Sequence, residues 1–80
     1  MDMRRLVGRN VLRIRKSKGL TQEALAEISG FSQQYISGLE KGQRNPTVIT
    51  LYELSVALGV DCIELLRSDV EPRRPRRLER

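Results

Sequence analysis

Residues 21–41 read TQEALAEISGFSQQYISGLEK, and this stretch decides the fold. It divides into two short amphipathic helices with a tight turn between them. Thr21 stands before the first as an N-cap, because its hydroxyl can accept a bond from an unpaired N–H of the opening turn. Leu25, Ala26 and Ser29 recur at helical spacing and form a compact inner stripe. Gly30 follows at the point where a chain leaving a helix often turns left-handed, a conformation glycine adopts without steric cost. Ser32 is a second N-cap two residues on. Ile36 and Leu39 supply the buried face of the next helix, and Gly42 stops it. Two helices this short, this close and this amphipathic make a helix-turn-helix pattern.

The flanking sequence supplies the rest of a helical domain. Residues 3–18, MRRLVGRNVLRIRKSK, read as a first helix. Val7, Val11 and Ile14 fall on one face, with room for the stem of Lys18. Arg4, Arg9, Arg13 and Lys16 lie largely away from it. Two uses of that basic side stay open: a solvated surface, or a flank that reaches phosphates. Gly8 costs about 1 kcal/mol inside a helix relative to alanine, which points to close packing against a neighbour. Gly19 suits the end of this helix, and Leu20 the corner of the core. Residues 42–46, GQRNP, form a loop in which Asn45 and Pro46 favour a new start. Thr47 caps a helix that runs to Leu58, with Val48, Leu51, Leu54, Ser55 and Leu58 as its inner stripe. Gly59 ends it. Asp61 caps a last helix over residues 62–67, where Leu65 and Leu66 pack back, Cys62 is a small apolar filler, and Val60 and Ile63 protrude. The expected architecture is all-α: a compact five-helix domain over residues 1–67, with its second and third helices forming the helix-turn-helix. From Ser68 the sequence changes to SDVEPRRPRRLER. Pro72 and Pro75 exclude a regular helix, and five arginines outweigh three acids, so residues 68–80 read as a disordered or extended basic tail.

Bulk composition narrows the function. Eighty residues make one domain with a modest core. The net charge of +5 favours an anionic partner, nucleic acid first and an anionic membrane surface second. One cysteine and no histidine exclude an intrachain disulfide, a cysteine/histidine zinc site and a serine-type triad. No catalytic residue and no cofactor is expected. The apolar runs are too short to span a bilayer and no secretory signal opens the chain, so a cytoplasmic protein is the simple expectation.

The series TQEALA, SGFSQQYISGLEKG, RNPT and LYELSVALGV, with Val7–Gly8 and Ile14–Arg15 upstream, resembles the phage repressor/Cro type of DNA-binding domain. This is the large xenobiotic-response-element family of regulators. The resemblance covers roughly residues 7–66; no tetrapeptide in it is specific, but the ordered series is. It implies a lambda-repressor-like fold that binds double-stranded DNA sequence-specifically, as a homodimer on a palindromic operator. The helix over residues 33–41 would lie in the major groove, and the Val60–Ile63 end would meet its two-fold mate. It also implies that Arg15 pairs with Glu40 and fixes the first helix against the third. A partly buried arginine needs such a planar, bidentate partner. Gln22, exposed at the first helical position, would bond a phosphate. Ile28 departs from the family, which is usually polar there.

The residue chemistry agrees with that placement. A glutamine amide carries both donors and an acceptor and can pair bidentately with adenine N6 and N7. Residues at the N-terminal end of a groove-bound helix are the ones that reach base edges. Gln33 and Gln34 are therefore the first candidates for base readout. Ser37 could meet a base or a phosphate. Gly38 removes bulk, for close approach of DNA or for helix packing. Gln22, Ser32, Tyr35, Lys41, Gln43, Arg44 and Asn45 are the candidates for the sugar–phosphate backbone, which sets register without reading sequence. A protein-binding adaptor or antitoxin is the alternative. It is weakened by a tail in which Val70 and Leu78 are the only large apolar residues. An enzyme lacks any visible nucleophile–base pair, metal set or phosphate-cradling glycine loop.

Overall fold

Side-chain caps open every helix. Asp2 accepts from the N–H groups of Arg4 and Arg5 and starts α1 (Met3–Ser17). The Thr21 hydroxyl accepts from Ala24 N–H and starts α2 (Gln22–Ser29). Ser32 does the same for Tyr35 at α3 (Gln33–Glu40), and Thr47 for Thr50 at α4 (Val48–Leu58). Each such cap satisfies an N–H the helix itself leaves unpaired, worth about 1 kcal/mol. Gly30, at φ 85°, turns α2 into α3 in the left-handed conformation that only glycine adopts cheaply. The computed structural model describes residues 2–68; the predicted tail beyond Ser68 lies outside the described residues.

The architecture is all-helical among the described residues, but the expected fifth α-helix is a 3-10 turn, Cys62–Leu65. Asp61 caps it as expected, through a bond from Ile63 N–H to its carboxylate. With one turn between that cap and the chain's exit, the backbone closes i→i+3, Leu66 N–H donating to the Ile63 carbonyl at 3.1 Å.

The four helices and the turn enclose one core. Val11, Leu25, Ile36, Leu39, Leu54 and Leu65 are fully buried in it, one or more from every element. Truncating any of these leucines to alanine would cost about 2–5 kcal/mol. Phe31 and Tyr35 pack at its edge, and so does Val60, which was expected to protrude. Ile63 does protrude. Two further expectations fail. Val48 is 76% exposed, because the first turn of α4 projects past the rim of the core. Leu66 is exposed as well, since the chain leaves the core at Leu65.

Two polar or small residues of α1 fix its position. Gly8 rides directly on the C-terminal turn of α3: a Cβ there would collide with the carbonyl oxygen of Leu39 and lie 2.9 Å from that of Glu40. Asn10 is completely buried. Its amide donates to the carbonyls of Leu65, at 3.0 Å, and Arg67, at 2.7 Å, and its oxygen accepts from Arg13. It ties the end of the domain to its beginning, and every buried polar side-chain atom among the described residues is satisfied.

Candidate nucleic-acid interface

The C-terminal end of α3 is held by a buried ion pair. Arg15 Nε donates to Glu40 Oε2 at 2.6 Å, and its Nη2 to Oε1 at 3.0 Å, in a bidentate fork. The third donor, Nη1, reaches the Leu20 carbonyl at 2.8 Å. Both side chains are nearly inaccessible, at 9% and 5% exposure. The bond to Glu40 raises the Arg15 pKa above an already high value, against the opposing effect of burial. One ion pair thus joins α1, the α1–α2 corner and α3.

Gln22 completes that cluster. It was expected to be exposed; it is half-buried, and its amide nitrogen donates to Glu40 Oε1 at 2.9 Å. The N-terminal turn of α2 is thereby pinned to the last residue of α3. One amide hydrogen and the backbone N–H of Gln22, at a helix N-terminus, remain for an anion.

The N-terminal turn of α3 is open. Gln33 and Gln34 are exposed and their side chains have no hydrogen-bond partner among the described residues. Ser32 accepts the capping bond from Tyr35 N–H at 3.0 Å and keeps its O–H free to donate. Ser37 is half-buried on the same side. Lys41 caps the other end of α3 and is exposed.

Arg44 occupies the space that Gly38 leaves. Its Nε lies 3.0 Å from where a Gly38 Cβ would sit. Its guanidinium carbon is 5.4 Å from the Tyr35 ring centre, and Tyr35 stacks in turn on Phe31 at 5.1 Å. Gly38 is therefore covered by the side chain of Arg44 rather than left open for DNA, and the loop is drawn back to it by a bond from Gln43 N–H to the Gly38 carbonyl. The cation–π contact, worth about 0.5–1 kcal/mol at an exposed site, holds a charge against the flank of α3. Gln43 and Asn45 are exposed in the same loop.

Two groups of residues escaped the sequence reading. Asn10 is one; a polar residue beside the apolar stripe of α1 was its only sign. The other is the outward face of α4, where Ile49, Tyr52 and Val56 are exposed alongside Ile28 of α2. Ile28, Tyr52 and Val56 help line a groove of about 390 Å³. No described helix is long and apolar enough to cross a membrane.

Comparison with known proteins gives one consistent result. A helix-turn-helix family model (HTH_3) matches residues 11–65. An HTH-type transcriptional regulator of Sinorhizobium fredii, y4dJ, is 67% identical over 66 residues, spanning 82% of this chain and 86% of the relative. The control protein C.SmaI of Serratia marcescens is 41% identical over 66 residues, spanning 82% and 79%. Among solved structures, the restriction–modification controller protein C.AhdI of Aeromonas hydrophila superposes with a TM-score of 0.75 at 37% identity, over 78% of this chain and 94% of that one. A hypothetical transcription factor from Neisseria, NHTF, superposes with a TM-score of 0.82 at 31% identity, over 85% and 78%.

Proposed function

Because the chain belongs to the helix-turn-helix family of Cro-like, xenobiotic-response-element-type DNA-binding transcriptional regulators, we propose that it binds a palindromic operator as a homodimer. One α3 enters the major groove of each half-site. Gln33 and Gln34 read base edges, with Ser37 beside them. Gln22, Ser32, Tyr35, Lys41, Gln43, Arg44 and Asn45 hold the sugar–phosphate backbone. Gly38 serves the reading indirectly, by letting Arg44 lie close along α3.

One observation carries this assignment: the first turn of α3 presents two unpaired glutamine amides while its last residue is locked by Arg15 and Gln22. Base readout needs donors and acceptors that are both free and fixed in place. The homodimer rests on a different feature. The outward face of α4 offers Ile49, Tyr52 and Val56, and Ile63 stands out from the following turn. Exposed apolar surface of this kind marks an interaction site. The sequence of α4, VITLYELSVAL, carries no basic residue, so two chains of charge +5 repel least when they meet there.

Selection of bound duplexes from a random library, followed by sequencing, tests the reading. An enriched motif with two-fold-related halves is the expected result. Salt-sensitive binding without enrichment would contradict base readout, and an enriched motif without two-fold symmetry would contradict the dimer.

A further inference from the structure

An apolar hollow lies where α1, the loop after α3 and the end of the described chain meet. Met3, Val7, Pro46, Leu51 and Leu66 form its walls around a volume of about 110 Å³, and Arg4 and Asn45 complete the lining. Val7 and Leu51 belong to the core beneath it. Met3 and Leu66 do not: they are 48% and 41% exposed. Two large apolar side chains thus stay partly in water beside an apolar floor, a cost of surface that a further apolar group would offset.

The sequence supplies such a group close by. Asn10 holds the carbonyls of Leu65 and Arg67, so the chain crosses α1 about one turn from Val7. Leu66 lines the hollow, and Ser68 is half-buried. The sequence then continues with Asp69, Val70, Glu71 and Pro72, followed by Arg73, Arg74, Arg76 and Arg77. Val70 is the first large apolar residue after Leu66, and four residues at full extension reach about 14 Å. An acid stands on each side of it. A valine between two carboxylates matches an apolar hollow with the Arg4 guanidinium in its lining.

We propose that this hollow seats Val70 of the same chain, with its neighbouring acids beside Arg4, and that the seat sets the arginines after Pro72 against the duplex backbone. Asn45 in the lining belongs to the loop assigned to that backbone, and Arg73 follows Val70 by three residues, a reach of about 10 Å. Anchoring at Val70 shortens the free length between the domain and the arginines, which raises their effective concentration at the phosphates. The arginine placement rests on the DNA-binding assignment; the seat itself does not.

The seat is tested on the full chain without DNA. Nuclear Overhauser contacts are expected from the Val70 methyls to Met3, Val7 or Leu51, and none to Ile28 or Val56. Val70→Ser, which leaves the net charge unchanged, should lower the unfolding midpoint by about 4–8 °C, the shift that losing part of a valine's burial produces in a domain of this size. Leu78→Ser should leave the midpoint where it was. Absent contacts with an unchanged midpoint in Val70→Ser would overturn the seat and leave the DNA-binding assignment standing. The same contacts seen only between labelled and unlabelled chains would also overturn it, by giving the hollow to a second copy. The arginine placement is read from binding to a labelled duplex between about 50 and 200 mM salt. Deleting residues 69–80 should make the slope of log K against log salt shallower by about 0.9 for each phosphate the arginines hold. Val70→Ser, with every arginine kept, should move the slope in the same direction. A wild-type slope in Val70→Ser would overturn the placement, and a wild-type chain with no affinity for any duplex at low salt would overturn it together with the DNA-binding assignment.

Discussion

The two ends of α3 use their polar side chains in opposite ways. At its C-terminus, Glu40 receives three hydrogen bonds from Arg15 and Gln22 and is almost sealed from solvent. At its N-terminus, Gln33 and Gln34 face solvent with their amides unused. The first arrangement spends polar groups on holding helices together. The second withholds them from the fold. A helix locked at one end delivers the other end to a fixed place, and groups left unpaired there cost nothing until a partner with matching donors and acceptors arrives.

Breaking the locked end has the largest expected effect. Glu40→Ala strands a buried guanidinium and destabilises the fold by about 3–5 kcal/mol in urea unfolding. Losing less than about 1 kcal/mol would mean that the pair is not buried in solution. The sign of the pH dependence follows from the raised Arg15 pKa. A cation whose pKa is higher folded than unfolded contributes stability that is complete below its unfolded value and fades only as pH rises through the folded one. The gap between wild type and Glu40→Ala is therefore expected to stay constant from about pH 7 to about pH 10; a gap that closes over that range would contradict a charged Arg15 lock.

Gly8→Ala comes next. Its methyl has no room against the carbonyls of α3, so α1 must shift, at about 1–3 kcal/mol. A stabilised variant, as helix propensity alone predicts, would show the contact to be looser than described. Gln22→Ala removes one bond to a carboxylate that keeps its other partners, so about 1 kcal/mol is expected. At the open end, Gln33→Ala and Gln34→Ala should leave folding stability within about 0.5 kcal/mol of wild type. A larger loss in either would erase the contrast between the two ends.

The contrast was only half legible in the sequence. Local signals were clear: the caps Thr21, Ser32, Thr47 and Asp61 and the left-handed Gly30 depend on neighbours within four residues. The open glutamines followed from their place at the start of α3. Contacts distant in sequence left weaker traces. Gln22 looked free because nothing local shows that Glu40, eighteen residues on, takes its amide. Asn10 bonds backbone carbonyls more than fifty residues away, and a carbonyl has no side-chain signature. Gly38 left two uses open, clearance for DNA or packing, because only the fold brings Arg44 over it. Val48 was misplaced because α4 is apolar on its outward face too, through Ile49, Tyr52 and Val56, which blurs the period that separates inside from outside. The Arg15–Glu40 pairing was available through family resemblance; spacing alone would not have found it.

The most direct test of the central claim is the affinity of Gln33→Ala and Gln34→Ala for the selected site and for an unrelated duplex, at one salt concentration. The predicted result is a loss of about 1–3 kcal/mol on the selected site and almost none on the unrelated duplex for at least one of the two. Equal losses on both duplexes, or none on either, would contradict base readout by the open end of α3.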